Sequence, residues 1–217
     1  MNRLSVRLGF DVLFLLGVML GFLASAFSTR ADVRFDGTVG PGGPGPVGPI
    51  AGYDYTYAVD SSRGDVAGSN LFHSFSEFDV AEGESLGFMG PGQFSNVFAR
   101  VDGPILINGP VSSEHAGANL FLLSRSGITV GASGRFLDLP AGLTLSTANQ
   151  VRFGDGAFPT DSLPWSAAGC CSGAPLSLVF EATGSEESVA EIILGSEGSE
   201  GSVVSLGDFN ALTAVAG

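Results

Sequence analysis

Val97-Phe98-Ala99, Leu120-Phe121-Leu122 and Leu143-Thr144-Leu145 recur at a constant step of 23 residues. Ile105-Leu106-Ile107, Ile128-Thr129-Val130 and Val151-Arg152-Phe153 keep the same step in a second column. The second set is followed by Asn108, Gly131 and Gly154, small residues that let the chain turn. Two columns locked to one period across three rungs predict a coil that repeats.

Strands alternate their side chains, so Ile105, Ile107, Ile128, Val130, Val151 and Phe153 are expected to face inward. Leu106, Thr129 and Arg152 then face out. Stacked coils bring like residues together at roughly 4.8 Å, and each coil buries its inner face only against its neighbours. A third side is less regular: Phe136, Leu137 and Leu139 alternate, but nothing equally clean lies 23 residues away. A sandwich of unrelated antiparallel strands is the competing architecture, and the spacing favours a β-helix.

Composition agrees. With 33 Gly and 11 Pro the chain is rich in turns, and its apolar segments are mostly Val, Ile, Leu, Phe and Thr, which suit pleated surfaces. A length of 217 residues allows one domain with a real core. Residues 186–194 are the single stretch read as a short helix. Tyr53, Tyr55 and Tyr57 alternate as in a strand, Asn70 to Val80 is aromatic-rich, and Leu176–Phe180 and Ile192–Leu194 read as further strands. Residues 32–52 read as an extended Gly/Pro loop, and the low-complexity run Gly195–Ser202 as a flexible acidic loop in preference to a calcium-binding turn.

The N-terminus reads as an export signal. Arg3 and Arg7 precede the apolar run Val12–Leu23, and Ala24-Ser25-Ala26 is an A-x-A cleavage site, with residue 31 as an alternative end. The uncharged stretch 12–28 is short for a spanning helix, which needs about 20 residues, so no stable membrane insertion is expected. An uncleaved anchor is the alternative. The expected organisation is a signal peptide at 1–26, a domain at 32–160 and an irregular extension at 161–217.

Charge narrows the partners. The chain has no lysine; nine arginines face 22 acidic residues, a net charge of −13. Such a surface repels nucleic acid and anionic lipid, whose binding rests on cationic patches, so no nucleic-acid partner is expected. Cys170 and Cys171 are adjacent, leaving open a vicinal disulfide, an intermolecular link or two free thiols. His73 and His115 are the only histidines and neither lies near a Cys in sequence, so neither a metal nor another cofactor is expected.

An ordered series of short segments then becomes informative. It runs Asp36–Gly40, Gly68–Phe75, Phe98–Gly103, Ile107-Asn108-Gly109, Ala118–Leu122, Gly127-Ile128 and Leu145–Ala148. This series resembles the haemagglutination activity domain, the two-partner secretion domain of filamentous-haemagglutinin-like exoproteins in Gram-negative bacteria. The resemblance implies an all-β fold, a right-handed parallel β-helix with N-terminal capping strands. It also implies passage through the periplasm, recognition by an outer-membrane Omp85-class transporter, and a secreted or cell-surface product related to adhesins, with a host or neighbouring-cell surface ligand. Suspected recognition or turn residues are Asn70, Leu71, Phe72, His73, Phe75, Arg100, Gly103, Asn108, Gly109, Asn119, Gly127 and Ile128. Within that set His73 is expected to be a packed or hydrogen-bonded structural residue, Arg100 and Asp102 a surface pair or turn, and Asn119 a turn-bonding side chain. The pattern departs at Ser124-Arg125-Ser126, where family members often carry Asn-Pro-Asn before Gly-Ile; of the turn formers only Gly127 remains.

No catalytic residues are assigned, and the chain is not expected to be an enzyme. A β-helical polysaccharide-acting enzyme needs paired carboxylates at a defined separation, and Asp102, Glu114 and Asp138 are scattered in sequence. A structural surface protein that assembles through open strand edges is the other alternative.

Overall fold

The computed structural model describes residues 32–139, 141–180, 191–194, 202–203 and 211–215. The signal peptide and its alternative end, residues 186–190 of the expected helix and the low-complexity run 195–201 lie outside the described residues. The chain enters through β1 (Val33–Phe35), β2 (Gly45–Pro46), β3 (Tyr57–Asp60), a 3-10 turn at Ser61–Arg63, and β4 (Asp65–Ala67). A first coil follows as β5 (Asn70–Val80) and β6 (Leu86–Met89), and a second as β7 (Asn96–Val101), β8 (Ile105–Ile107) and β9 (Pro110–Ser113). The third coil is β10 (Asn119–Ser124), β11 (Ile128–Val130) and β12 (Arg135–Leu137), with β13 (Gly142–Ser146) above it. The remainder comprises β14 (Gln150–Phe153), β15 (Gly156–Pro159), β16 (Ser177–Val179), β17 (Ile192–Leu194), β18 (Ser202–Val203) and β19 (Ala211–Val215).

Parallel in-register ladders make this a three-sided β-helix. On the first side the N-terminal half of β5, then β7, β10 and β13 stack in order, placing Leu71, Val97, Leu120 and Leu143 above one another. On the second, the C-terminal part of β5 carries β8 and β11, with Phe78, Ile105 and Ile128 in line. On the third, β3, β6, β9 and β12 stack. Capping strands close the N-terminal end: β4 and β1 both run antiparallel to β5. The sandwich alternative is thereby excluded.

Inward side chains build one continuous core, including Leu71, Phe75, Val97, Val101, Ile105, Ile107, Leu120, Leu122, Ile128 and Val111. The third side escapes a 23-residue search because its rungs step by 25, from Leu86 to Val111 to Phe136. The corner before it gains residues from the second coil to the third and the corner after it loses as many. Phe136 packs against the core, whereas Leu137 is exposed, as alternation requires.

Three expectations need correction. Val151-Arg152-Phe153 does not continue the second column. β14 leaves the stack and pairs antiparallel with β15 and β16 in a separate sheet, and Ile192 of β17 takes the place above Ile128. The alternation is as read, with Val151 and Phe153 buried and Arg152 exposed, but the partners are Phe72 and Phe98 on the outside of the first side. A buried-exposed-buried triplet satisfies either core, so spacing alone assigns the wrong one. The helix expected over 186–194 is likewise replaced at Ile192–Leu194 by a strand, because the open edge of β11 offers ladder partners there. Tyr53 and Tyr55 precede β3 in irregular chain, and only Tyr57 enters it.

Candidate functional site

The recurring segments of the first side meet on its outer face. Each strand begins with a residue at the same corner, and three of these are asparagines. Asn96 Nδ2 donates to Asn70 Oδ1 at 2.7 Å and Asn119 Nδ2 to Asn96 Oδ1 at 3.0 Å. Asn96 thus offers its oxygen to the coil above and its nitrogen to the coil below. At the base, Asn70 Nδ2 donates to the carbonyls of Cys171 and Gly173, both at 2.7 Å. Asn119 also donates to the Ser95 carbonyl at 3.3 Å, so it serves both the turn and the ladder.

Two positions along, Phe72, Phe98 and Phe121 stack face to face, with centroids 5.0 and 4.5 Å apart. That separation follows from the coil rise. Phe153, Phe158, Trp165 and the disulfide-bonded Cys171 cover them in a second core. Of the cysteine states left open above, the structure holds the vicinal disulfide Cys170–Cys171.

Arg100 is the largest sealed side chain, 1% exposed. Its Nε donates to Ser74 Oγ at 2.7 Å, one terminal nitrogen to Pro159 O at 2.9 Å, and the other to Thr38 Oγ1 at 2.8 Å and Leu163 O at 2.7 Å. The Ser74 and Thr38 hydroxyls donate in turn to the Asp36 carboxylate at 2.5 and 2.7 Å. Two hydroxyls therefore relay a carboxylate to the guanidinium, whose pKa burial lowers and Asp36, Asp161 and Asp102 raise. The expected surface pair with Asp102 is not formed: Arg100 turns away into the face, while Asp102 stays exposed on the following turn.

His73 points the other way, into the coil interior between Phe35, Phe75 and Phe88. Neither ring nitrogen has a hydrogen-bond partner. Burial, helped by His115 and Arg63 against Asp60, brings its pKa down to about 3. The imidazole is neutral and packed. Among the described residues no group of three or more His, Cys, Asp or Glu is placed to hold a metal ion.

The suspected residues do not form one surface. Asn70, Phe72, Arg100 and Asn119 share the outer face of the first side. Leu71, His73 and Phe75 face the interior, as Ile128 does on the second side. Gly103 and Gly127 mark the corner between first and second sides, and Asn108 and Gly109 the corner between second and third. Asn70, Leu71, Phe72, His73, Phe75, Arg100, Gly109, Gly127 and Ile128 are buried, Gly103 and Asn119 are half-buried, and Asn108 is exposed. A Cβ on Gly131 would meet the Asn108 side chain one coil below, which would have to swing aside. Asn96 in the ladder and Ser74, Thr38 and Asp36 around Arg100 were missed. Asn96 is the legible one, 23 residues before Asn119 and 26 after Asn70.

The departed turn has its own solution. Ser124 Oγ donates to Gly103 O at 2.7 Å and Ser126 Oγ to Asp102 O at 3.0 Å, binding this corner to the one below. Ser126 N donates back to Ser124 Oγ at 3.1 Å, and Gly127 supplies the positive φ of +104°. Serine hydroxyls thus stabilise a turn that Pro and Asn would otherwise preset.

A family described as the TPS secretion domain matches residues 56–167, more than half of the chain. No curated protein and no solved structure matches it. The matched span opens one residue before β3, runs through the three coils and β13, and ends at Ala167, in the segment that covers the aromatic stack. The coils, the three asparagines and the first part of the covering segment lie within the family's extent, and the chain belongs to the family of two-partner secretion (TPS) domains.

Proposed function

We propose that this chain is exported through the periplasm and read, while still unfolded, by a dedicated outer-membrane transporter of the Omp85 class. Its membership of the TPS family makes it a two-partner secretion substrate; the class of transporter and the unfolded state at recognition are our reading. One observation carries it. Nine of the twelve suspected recognition residues are buried in the folded domain, so a partner gains access to the Asn70–Phe75 segment only before the coil closes. Folding outside the cell then buries that segment, which disfavours return of the chain.

In the same reading residues 1–26 are removed as a signal peptide, or 1–31 at the alternative site. The domain beginning near residue 32 delivers a product related to filamentous adhesins to the cell surface or medium, where it meets a host or neighbouring-cell ligand. The interlocking of Arg100 with Leu163, and of Asn70 with Gly173, supports a domain boundary beyond residue 160.

The test is co-expression of the full chain with an Omp85-class transporter from a two-partner system in a Gram-negative host. The expected result is chain in the medium only when the transporter is present, with accumulation in the periplasm otherwise. Equal amounts in the medium with and without the transporter would overturn the proposal. A second arm fuses a stably folded, fast-folding domain after Gly217; blocked release with intact binding is expected if the substrate must be unfolded.

A further inference from the structure

The coils alone form a chain of neighbours: their ladders join residues 23 to 29 positions apart. Such a stack can grow one unit at a time from its first coil. Residues 159–173 break that order. This strap leaves β15 and runs back along the outer face of the first side to the N-terminal end. Arg100 reaches the Pro159 and Leu163 carbonyls, and Trp165 N donates to Thr38 O at 3.0 Å. Ala167 N donates to Asp65 Oδ2 at 2.8 Å, and Asn70 reaches Cys171 and Gly173. These bonds span 59 to 103 residues along the chain for the side-chain pairs, and all of them end on the cap or the first two coils.

We propose that the strap is a folding checkpoint: the first two coils become ordered only when residues 159–173 seat against them, so the domain folds as one unit and not coil by coil. Without the strap Phe72 loses Trp165, and the outer face keeps only Phe153 and Phe158 as its aromatic cover. Asn70 Nδ2 loses both of its acceptors, and Arg100 loses two of its four. The outer face of the first side is then only partly covered, and the polar groups at its cap end are left without their partners. The long closure adds only a slowly growing entropic cost, so seating is limited by arrival of the strap more than by its distance. The segment nearer the N-terminus is therefore completed by one about a hundred residues later in the chain. The inference rests on contacts within the chain and stands whichever transporter carries it.

Pulse-labelled hydrogen exchange during refolding of the full-length oxidised protein from urea tests this. The amides of β7, paired on both edges, are expected to gain protection at the same rate as those of Trp165 and Ala167. Protection of β7 before the strap overturns the proposal. Trp165→Ala in the full chain provides an independent readout, expected to slow both sets together by about tenfold. Slowing of the strap amides while β7 folds at the wild-type rate also overturns it. Should that variant not refold, the wild-type experiment decides alone.

Discussion

A guanidinium sealed from water must find acceptors around its whole rim, and Arg100 finds them on four residues drawn from the cap, the first coil and the strap. Arg100→Met keeps the apolar stem but leaves Ser74, Thr38, Pro159 and Leu163 facing a side chain without donors. The expected cost is about 3 kcal/mol, in the range for buried hydrogen bonds to a charged group, read as a lower urea midpoint. Arg100→Lys should recover less than half, since a lysine lacks the fork that spans both carbonyls and hydroxyls. His73 gives a second prediction, in pH. With a folded pKa of about 3 against an ordinary 6.5, it is neutral in both states above pH 6.5. As pH falls, the unfolded chain takes up a proton that the core refuses, so stability drops by roughly 2 kcal/mol between pH 6.5 and 5. His115, also lowered by burial, adds to the same slope. Asp79, raised by burial and Glu84, opposes it only nearer the carboxylate range. Urea titrations at several pH values should show the slope, and His73→Leu should remove most of it; an unchanged slope would assign it elsewhere. Neither role was fully legible in the chain. The sequence marks His73 as lacking a catalytic partner, but Arg100 next to Asp102 reads as a surface pair, because nothing local reveals that its acceptors are distant backbone carbonyls.

Strands on the first side bury both faces, which explains why they carry Phe and Leu at alternate positions that a one-sided coil would leave polar. The asparagine ladder terminates that side at one corner, and its geometry sets a sharp test. Asn96 donates downward and accepts from above. Asn96→Ala strands one acceptor and one donor at an expected cost of about 2 kcal/mol. Asn96→Asp is expected to be worse despite its near-identical shape, because an acceptor then meets Asn70 Oδ1 and a charge is buried. Thermal melts of the two variants decide it: Asp equal to or milder than Ala would mean the ladder is not directional. The same element shows what periodicity can and cannot read. Leu120 over Val97 and Ile128 over Ile105 were visible because the second and third coils keep the same stretch from the first side to the second. Ile192 over Ile128 was not, since 64 residues separate them and the intervening chain builds a different sheet.

At the scale of the molecule, the coil was legible because it repeats, and the strap was not, because it is made of single backbone acceptors and one aromatic cluster that carry no period. The family pattern nevertheless includes the strap as far as Ala167, in keeping with a domain whose two ends meet. Charge is the remaining global property. Against 22 acidic residues the chain sets nine arginines, of which Arg100 is consumed internally and Arg34 forms, with Asp32 at 3.1 Å, the one ion pair among the described residues. That pair is partly exposed, so it contributes little. Carboxylates therefore repel across the folded surface with little local compensation, and compaction brings them closer than they lie in the unfolded chain. Screening should relieve this. As sodium chloride rises from about 0.01 to 0.15 M the Debye length contracts from roughly 30 to 8 Å, and the urea midpoint is expected to rise over that interval and then level off. Urea is the required denaturant, because guanidinium would itself screen. A midpoint that falls with salt would mean that attractive pairs dominate the surface, and a continued linear rise to high salt would mark a general solvent effect instead of relieved repulsion.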